Sequence, residues 1–364
     1  MTYATSDGTR RYAARFVSAL DQTHFRIVDG LTLSSIGLGT YLGEPDAETN
    51  QRYIHALQRA LQLGCNVLDT ASNYRFQLSE RAIGEALQVI DVARDEIFIS
   101  TKGGYVPYEG EYPKDPRAYI MGTFIDTGIV EPEDFTQGAQ HCIAPKYLAH
   151  QLAQSRRNLQ LETIDLYYLH NPEGQLGELT RDEFRKRLRA AFEFLEQAVA
   201  NNHIRCYGTA TWNAYRQLPQ GRDYLSLQDM IHLAREAAGD THHFKAIQLP
   251  INLAMPEVLE HKNQAVNDVW KTVLEAARDL GVMVFASASL MQARLAKHLP
   301  SALRKGLGES LTDAQRALQF TRSLPNVTTA LVGMSRVAHV EENLQLAQRP
   351  CIDETELQKV FGKQ

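Results

Sequence analysis

Gly64-Cys65-Asn66-Val67-Leu68-Asp69-Thr70-Ala71-Ser72-Asn73-Tyr74 is the run from which the rest of the chain is best read. A helical pattern ends at Gly64, and Asn66 to Leu68 reads as a short buried strand. Asp69 then falls where that strand stops, and Tyr74 in the loop beyond it. An acid and a phenol are thus delivered together at the mouth of a buried strand.

Seven further short apolar runs alternate with amphipathic stretches, the pattern of a parallel sheet wrapped by helices. The strands are expected near Ile36–Gly39, Asn66–Leu68, Ile97–Thr101, Ile164–Leu169, Ile204–Thr209, Ala246–Leu249, Val282–Ala286 and Thr328–Val332. Eight of them favour an α/β fold of the closed (β/α)8 TIM-barrel type, in which catalytic residues sit at the carboxyl ends of the strands. Pro45-Asp46 opens a helix whose Tyr53, Leu57, Ala60 and Leu61 share one face, and Gly64 closes it. Other helices are expected at Gln77–Val89, Pro145–Leu159, Arg181–Asn201, Leu225–Ala237, Val266–Leu280 and Val337–Ala347. Asp29-Gly30 joins Phe25–Val28 to Leu31–Ser34 in an N-terminal β-hairpin. The whole reads as one domain with a barrel core of about residues 25–347. A long aromatic insertion of about 103–143 follows the third strand; it is expected to be largely irregular and either to cover a substrate or to serve only crowding or an oligomer contact. After Pro350 the residues do not distinguish a partner-binding segment from a docked helix.

A length of 364 residues accommodates such a barrel. A formal net charge of -5, with the two signs interspersed, offers no basic field for nucleic acid or an anionic membrane. Neither a secretory signal nor a run long enough to span a membrane is evident, so a cytoplasmic protein acting on small molecules is expected. Cys65, Cys142, Cys206 and Cys351 have no zinc-site spacing, and no metal is expected. His242-His243 and His141-Cys142 read as solvated loop residues. The charged run Arg181 to Arg189 reads as an exposed helix face.

Two more strand ends carry ionisable residues: Lys102 after Ile97–Thr101, and His170 after Ile164–Leu169. A lysine or histidine capping a buried strand needs polar partners to offset its desolvation. Asp69, Tyr74, Lys102 and His170 share one rim and can supply those partners to one another. The set suits carbonyl reduction. Hydride addition leaves charge on oxygen, so a proton donor must stand near it. A nearby ammonium is expected to lower the Tyr74 pKa, with Asp69 holding Lys102 charged and a neutral His170 orienting the substrate oxygen.

These motifs closely resemble those of the aldo-keto reductases, barrel enzymes that reduce carbonyls with a nicotinamide cofactor. Asp69 and Tyr74 match DTAxxY, Lys102 follows a strand as in the STK pattern, and His170 closes IDLYYLH. The resemblance runs from about Phe25 to Leu346 and implies the tetrad Asp69, Tyr74 as acid, Lys102 and His170. It also implies a hairpin plugging the barrel bottom. Gly39 and Thr40, in the Gly37-Leu38-Gly39-Thr40-Tyr41 run, and Gln248 are implied cofactor contacts, the last toward the nicotinamide carboxamide. Tyr41 and Tyr105 are expected to line the substrate pocket.

The chain departs from the family pattern in two places. Ala210-Thr211 stands where a Ser-Asn pair is common, leaving the Thr211 hydroxyl for the carboxamide. Ala286-Ser287-Ala288-Ser289 replaces an SPL-type loop, with Ser287 and Ser289 left for pyrophosphate. After the eighth strand, Ser335 and Arg336 are expected to clamp a 2'-phosphate, and Glu342 and Asn343 to meet adenine. The expected cofactor is therefore NADP(H), with NAD(H) possible, and the substrate a small aldehyde, ketone or alcohol. The alternative is a cofactor-binding regulatory or scaffold protein with little turnover. The oligomeric state is not legible.

Overall fold

In the computed structural model, which describes residues 2–360, eight parallel strands close into a barrel. They are β1 (Ile36–Gly39), β2 (Val67–Asp69), β3 (Phe98–Gly103), β4 (Ile164–His170), β5 (Ile204–Ala210), β6 (Phe244–Pro250), β7 (Met283–Ser287) and β8 (Val327–Gly333). Each pairs with its sequence neighbour, and β8 closes on β1 with Gly333 opposite Gly39. Strands buried on both faces carry near-continuous apolar runs, which is why each was readable.

The helices that cover the barrel are α1 (Ala47–Gln62), α2 (Leu78–Val89), α3 (Pro145–Leu159), α4 (Arg181–Ala200), α5 (Leu227–Ala238), α6 (Val273–Asp279), α7 (Asp313–Ser323) and α8 (Val337–Leu344). Asp46 caps α1 by accepting from the Thr49 N–H. Gly64, at φ +91, turns the chain out of α1 and into β2. The hairpin Phe25–Val28/Leu31–Ser34 forms as expected, and its Leu31 and Leu33 pack with Val67, Phe98, Leu166 and Phe285. Asn66 locks it in place, accepting from the Ser34 N–H (2.9 Å) and donating to the Thr32 carbonyl (3.0 Å).

Three expectations need correction. The helix expected at Val266–Leu280 is a hairpin, Gln264–Val266 against Val269–Lys271, followed by the shorter α6. Asn267 and Asp268, at φ 48° and 64°, form the left-handed turn that breaks it. The helix expected to reach Ala347 ends at Leu344 and tightens into a 3-10 turn, Gln345–Gln348. Outside the insertion, helices Ser6–Ala14, Glu257–Glu260, Ser301–Leu307 and α7 were not anticipated.

The insertion is less irregular than expected. It carries a helix, Pro116–Ile120, and a wider turn, Met121–Ile125, around its own small core of Val106, Tyr108, Ile120, Phe124, Val130 and Phe135. The tail after Pro350 forms a helix, Glu354–Val360; residues 361–364 lie outside the described residues. Among the described residues no helix is long and apolar enough to cross a membrane.

Candidate active site

The barrel register places Asp69, Lys102 and His170 at the carboxyl ends of β2, β3 and β4. The Lys102 ammonium is fully buried, donating to Asp69 Oδ2 (2.7 Å) and to the Thr70 carbonyl (2.7 Å). Asp69 Oδ1 accepts from Ser100 Oγ (2.7 Å) and Gln248 Nε2 (2.8 Å). The carboxylate is therefore held at both oxygens, and one lysine proton faces outward. That face looks onto Tyr74, whose ring centroid lies 4.9 Å from Lys102 Nζ. His170 meets the same ring edge-on, at 5.8 Å between centroids.

Tyr74 sits on a strained support. Arg75, Phe76 and Gln77 are consecutive left-handed residues at φ 47°, 55° and 73°, a conformation that costs non-glycine residues roughly 1–3 kcal/mol each. Side-chain anchors on either side hold the turn. Arg75 donates to the Glu44 carbonyl (2.9 Å) and Asn50 Oδ1 (2.7 Å), and lies over the Tyr53 ring. Gln77 donates to the Pro107 and Tyr108 carbonyls of the insertion and accepts from Asn158 of α3.

Burial sets the direction of the titrations. It lowers the Lys102 pKa, and the Asp69 charge opposes that fall. Burial, followed by the charge of Lys102, holds His170 well below 6.5, so its imidazole is neutral. Tyr74 departs from expectation: burial, followed by the negative charge of Asp69, raises its pKa well above 10.0 instead of the lysine lowering it. The phenol is thus kept protonated until charge develops against it.

Tyr41 and Tyr105 wall the site. Tyr41 is half-exposed and packs edge-on against Tyr74 (5.0 Å); Tyr105 does the same to His170 (5.0 Å), and its hydroxyl accepts from Asn171 Nδ2 (3.3 Å). Trp212, two residues beyond the carboxyl end of β5 on the same rim, is half-exposed.

The expected cofactor residues divide into two groups. Thr211 and Asn343 are buried, and Thr211 Oγ1 and Asn343 Oδ1 have no hydrogen-bond partner among the described residues. Arg336 is exposed and unpaired among the described residues at the N-cap of α8, and Ser335 beside it is partly exposed. Free N–H groups of the first turn of α8 suit an anion. Gly39 leaves open space, since a Cβ there would meet nothing closer than 3.8 Å. The others, apart from Ser287, are engaged within the chain. Thr40 donates to the Asp69 carbonyl (3.2 Å), Gln248 spends its amide N–H on Asp69, and Ser289 is buried against the Ala286 carbonyl (3.4 Å). Glu342 accepts from Thr312 (2.7 Å), and Ser287 is partly exposed at the end of β7.

Two buried residues near the rim were not anticipated as site residues. His141, expected in a solvated loop, is fully buried against His170, with Nε2 2.7 Å from the His170 carbonyl. Glu173 accepts at Oε1 from the N–H groups of Trp212 (2.7 Å) and Asn213 (3.3 Å), which fixes the loop after β5. Its Oε2 is buried without a partner among the described residues, and burial pushes the carboxyl from 4.5 up to about 7. A raised carboxyl favours the fold when protonated. Its contribution is complete below pH 4.5 and is lost as pH rises through about 7. Glu173→Gln removes that dependence, and urea denaturation at pH 5 and pH 8 measures it. Relative to wild type, the variant is expected to gain on the order of 3 kcal/mol between the two pH values.

The sequence profile described as Aldo/keto reductase family matches residues 35–225. The D-threo-aldose 1-dehydrogenase of a Pseudomonas species is 30% identical over 152 residues, 42% of this chain and 41% of that protein. The first relatives matched are therefore spanned over only about two fifths of their length. The uncharacterized oxidoreductase YqkF of Bacillus subtilis is 23% identical over 341 residues, 90% of this chain and 91% of that one. Among solved structures, an aldo/keto reductase from Klebsiella pneumoniae in complex with NADP and acetate overlays with a TM-score of 0.63. Its identity is 20%, over 93% of this chain and 94% of that one, a likeness of fold.

Proposed function

Because the chain belongs to the aldo/keto reductase family, we propose that it is an NADP(H)-dependent oxidoreductase interconverting an aldehyde or ketone with its alcohol, Tyr74 being the proton donor. The observation that carries this reading is the buried Lys102–Asp69 ion pair (2.7 Å) beneath the Tyr74 ring, with neutral His170 at its edge. A binding protein without turnover has no use for a proton donor mounted over a buried ion pair on a strained turn. The regulatory alternative therefore finds no support in the site.

The Thr211 and Asn343 oxygens and Arg336, without partners among the described residues, and the open N-cap of α8 fit an extended dinucleotide across the barrel mouth. Thr211 would hold the carboxamide, Ser335 and Arg336 the 2'-phosphate, and Asn343 the adenine; bound there, the nicotinamide supplies hydride. Tyr74 gives its proton to the carbonyl oxygen as negative charge grows there, and Lys102 offsets the charge left on the phenolate. His170, being neutral, orients the oxygen by hydrogen bonding without competing as an acid. Tyr41 and Tyr105 give the pocket aromatic walls, which favour an apolar or ring-bearing carbonyl.

The cofactor assignment is tested by fluorescence quenching, with Trp212 at the site as reporter. NADPH is expected to bind more tightly than NADH. Arg336→Ala should weaken NADPH by about tenfold, one exposed charge-assisted contact, while leaving NADH unchanged. Equal loss for both nucleotides would remove the 2'-phosphate role, and no binding of either would overturn the cofactor reading.

A further inference from the structure

His141 lies at the returning end of the insertion, 29 residues before the histidine it touches. Its Nε2 faces the His170 carbonyl, which only accepts, so Nε2 carries the proton. Nδ1 is then an acceptor and receives the Gln175 amide at 3.1 Å. Gln175 belongs to the 3-10 turn Pro172–Gly177 that follows His170 directly. Both ring nitrogens of His141 are thus tied to the segment carrying His170. Burial keeps the ring neutral, with a pKa lowered to about 4.

Room for that ring is made by Gly104. A Cβ there would stand 2.8 Å from His141 Nε2 and 3.2 Å from the His170 carbonyl, and the residue's φ of +138° also favours glycine. Tyr105 then packs edge-on against both His141 and His170, at 5.0 Å each. Among the described residues neither nitrogen of the His170 ring has a hydrogen-bond partner. The aim of that ring therefore depends on its backbone and on two aromatic edges, Tyr74 and Tyr105.

We propose that His141 is a positioning residue, through which the insertion fixes the His170 backbone and so aims the imidazole at the carbonyl oxygen. The insertion is then part of the catalytic frame as well as a cover. It braces Tyr74 through Gln77 on its outgoing arm and His170 through His141 on its return.

The inference rests on the carbonyl-reduction reading, so wild type is assayed beside His141→Leu and His141→Gln. His141→Leu is expected to lower kcat by about 30- to 100-fold, the cost of a misplaced catalytic group, with the NADPH Kd within about twofold. His141→Gln, whose amide N–H can reach the same carbonyl, should recover most of the loss. Wild-type kcat in His141→Leu, or equal losses in both variants, would overturn the proposal. A crystal structure of His141→Leu decides it whether or not a substrate is found: a displaced or divided His170 ring supports it, and an unmoved ring overturns it. Absence of turnover in wild type would count against the reductase reading alone. Should His141→Leu not fold, Gln175→Met releases Nδ1 and takes the same measurements. A loss of about 3- to 10-fold is expected there, and wild-type values for kcat and for the ring position would overturn the proposal.

Discussion

Tyr74→Phe is expected to lower kcat by about 10²- to 10⁴-fold, the range of a single general acid, while the NADPH Kd stays within about twofold. The substitution removes one hydroxyl and little else. That hydroxyl has no hydrogen-bond partner among the described residues, so no buried group is orphaned by its loss. The phenylalanine ring keeps its edge contacts with Tyr41 and His170 and its place over Lys102. The backbone is set by Arg75 and Gln77, whose anchors the change does not touch. Thermal stability should therefore be nearly unchanged, and the effect should appear in kcat with cofactor binding spared. Single-turnover reduction, followed by loss of NADPH absorbance, measures the chemical step directly. An undiminished rate would remove Tyr74 from the role of acid and leave the buried ion pair without a purpose in the reaction.

The parts legible in the sequence are those written in local pattern. Strands β1 to β8 could be placed because strands covered on both faces carry unbroken apolar runs, and Asp69, Lys102 and His170 followed from where those runs stop. Pro145 and Asp46 announced helix starts in the same local way. Val266–Leu280 misled because apolar residues on a short hairpin fall at spacings a helix also allows; Asn267-Asp268 was the turn signal within it. Helix α7 carried a readable capping box, Thr312 with Gln315, and Ala314, Ala317 and Leu318 on one face, yet it was overlooked. Its Gln315, Gln319 and Arg322 are buried through bonds to α8 and to the segment after it, partners that sequence spacing does not reveal. His141 was missed for the same reason: its partners are a backbone carbonyl and an amide about 30 residues away, and neither makes a motif. The Tyr74 titration went the other way from the sequence argument because proximity to Lys102 is legible in a motif, whereas burial is a property of the assembled pocket.

Lys102→Met should both destabilise the fold and disable the acid, and the two effects can be separated. Lys102 is fully buried, and its ammonium is the ion-pair partner of Asp69 Oδ2; Ser100 and Gln248 serve only Oδ1. Removing the cation leaves a buried carboxylate oxygen uncompensated, a loss of about 3–5 kcal/mol. Urea denaturation should show it as a lower midpoint with an unchanged slope. Asp69→Asn combined with Lys102→Met removes the stranded charge as well, and should recover much of the stability, because replacing a whole buried pair is far less damaging than breaking it. Activity should not return with it. The charge left on Tyr74 after proton transfer would still lack the cation 4.9 Å from its ring, so kcat is expected to stay about 10²-fold or more below wild type in both variants. A single variant as stable as wild type would show that the pair does not hold the rim together. A double variant with restored turnover would show that Lys102 serves only to neutralise Asp69, and that Tyr74 needs no cation to give up its proton.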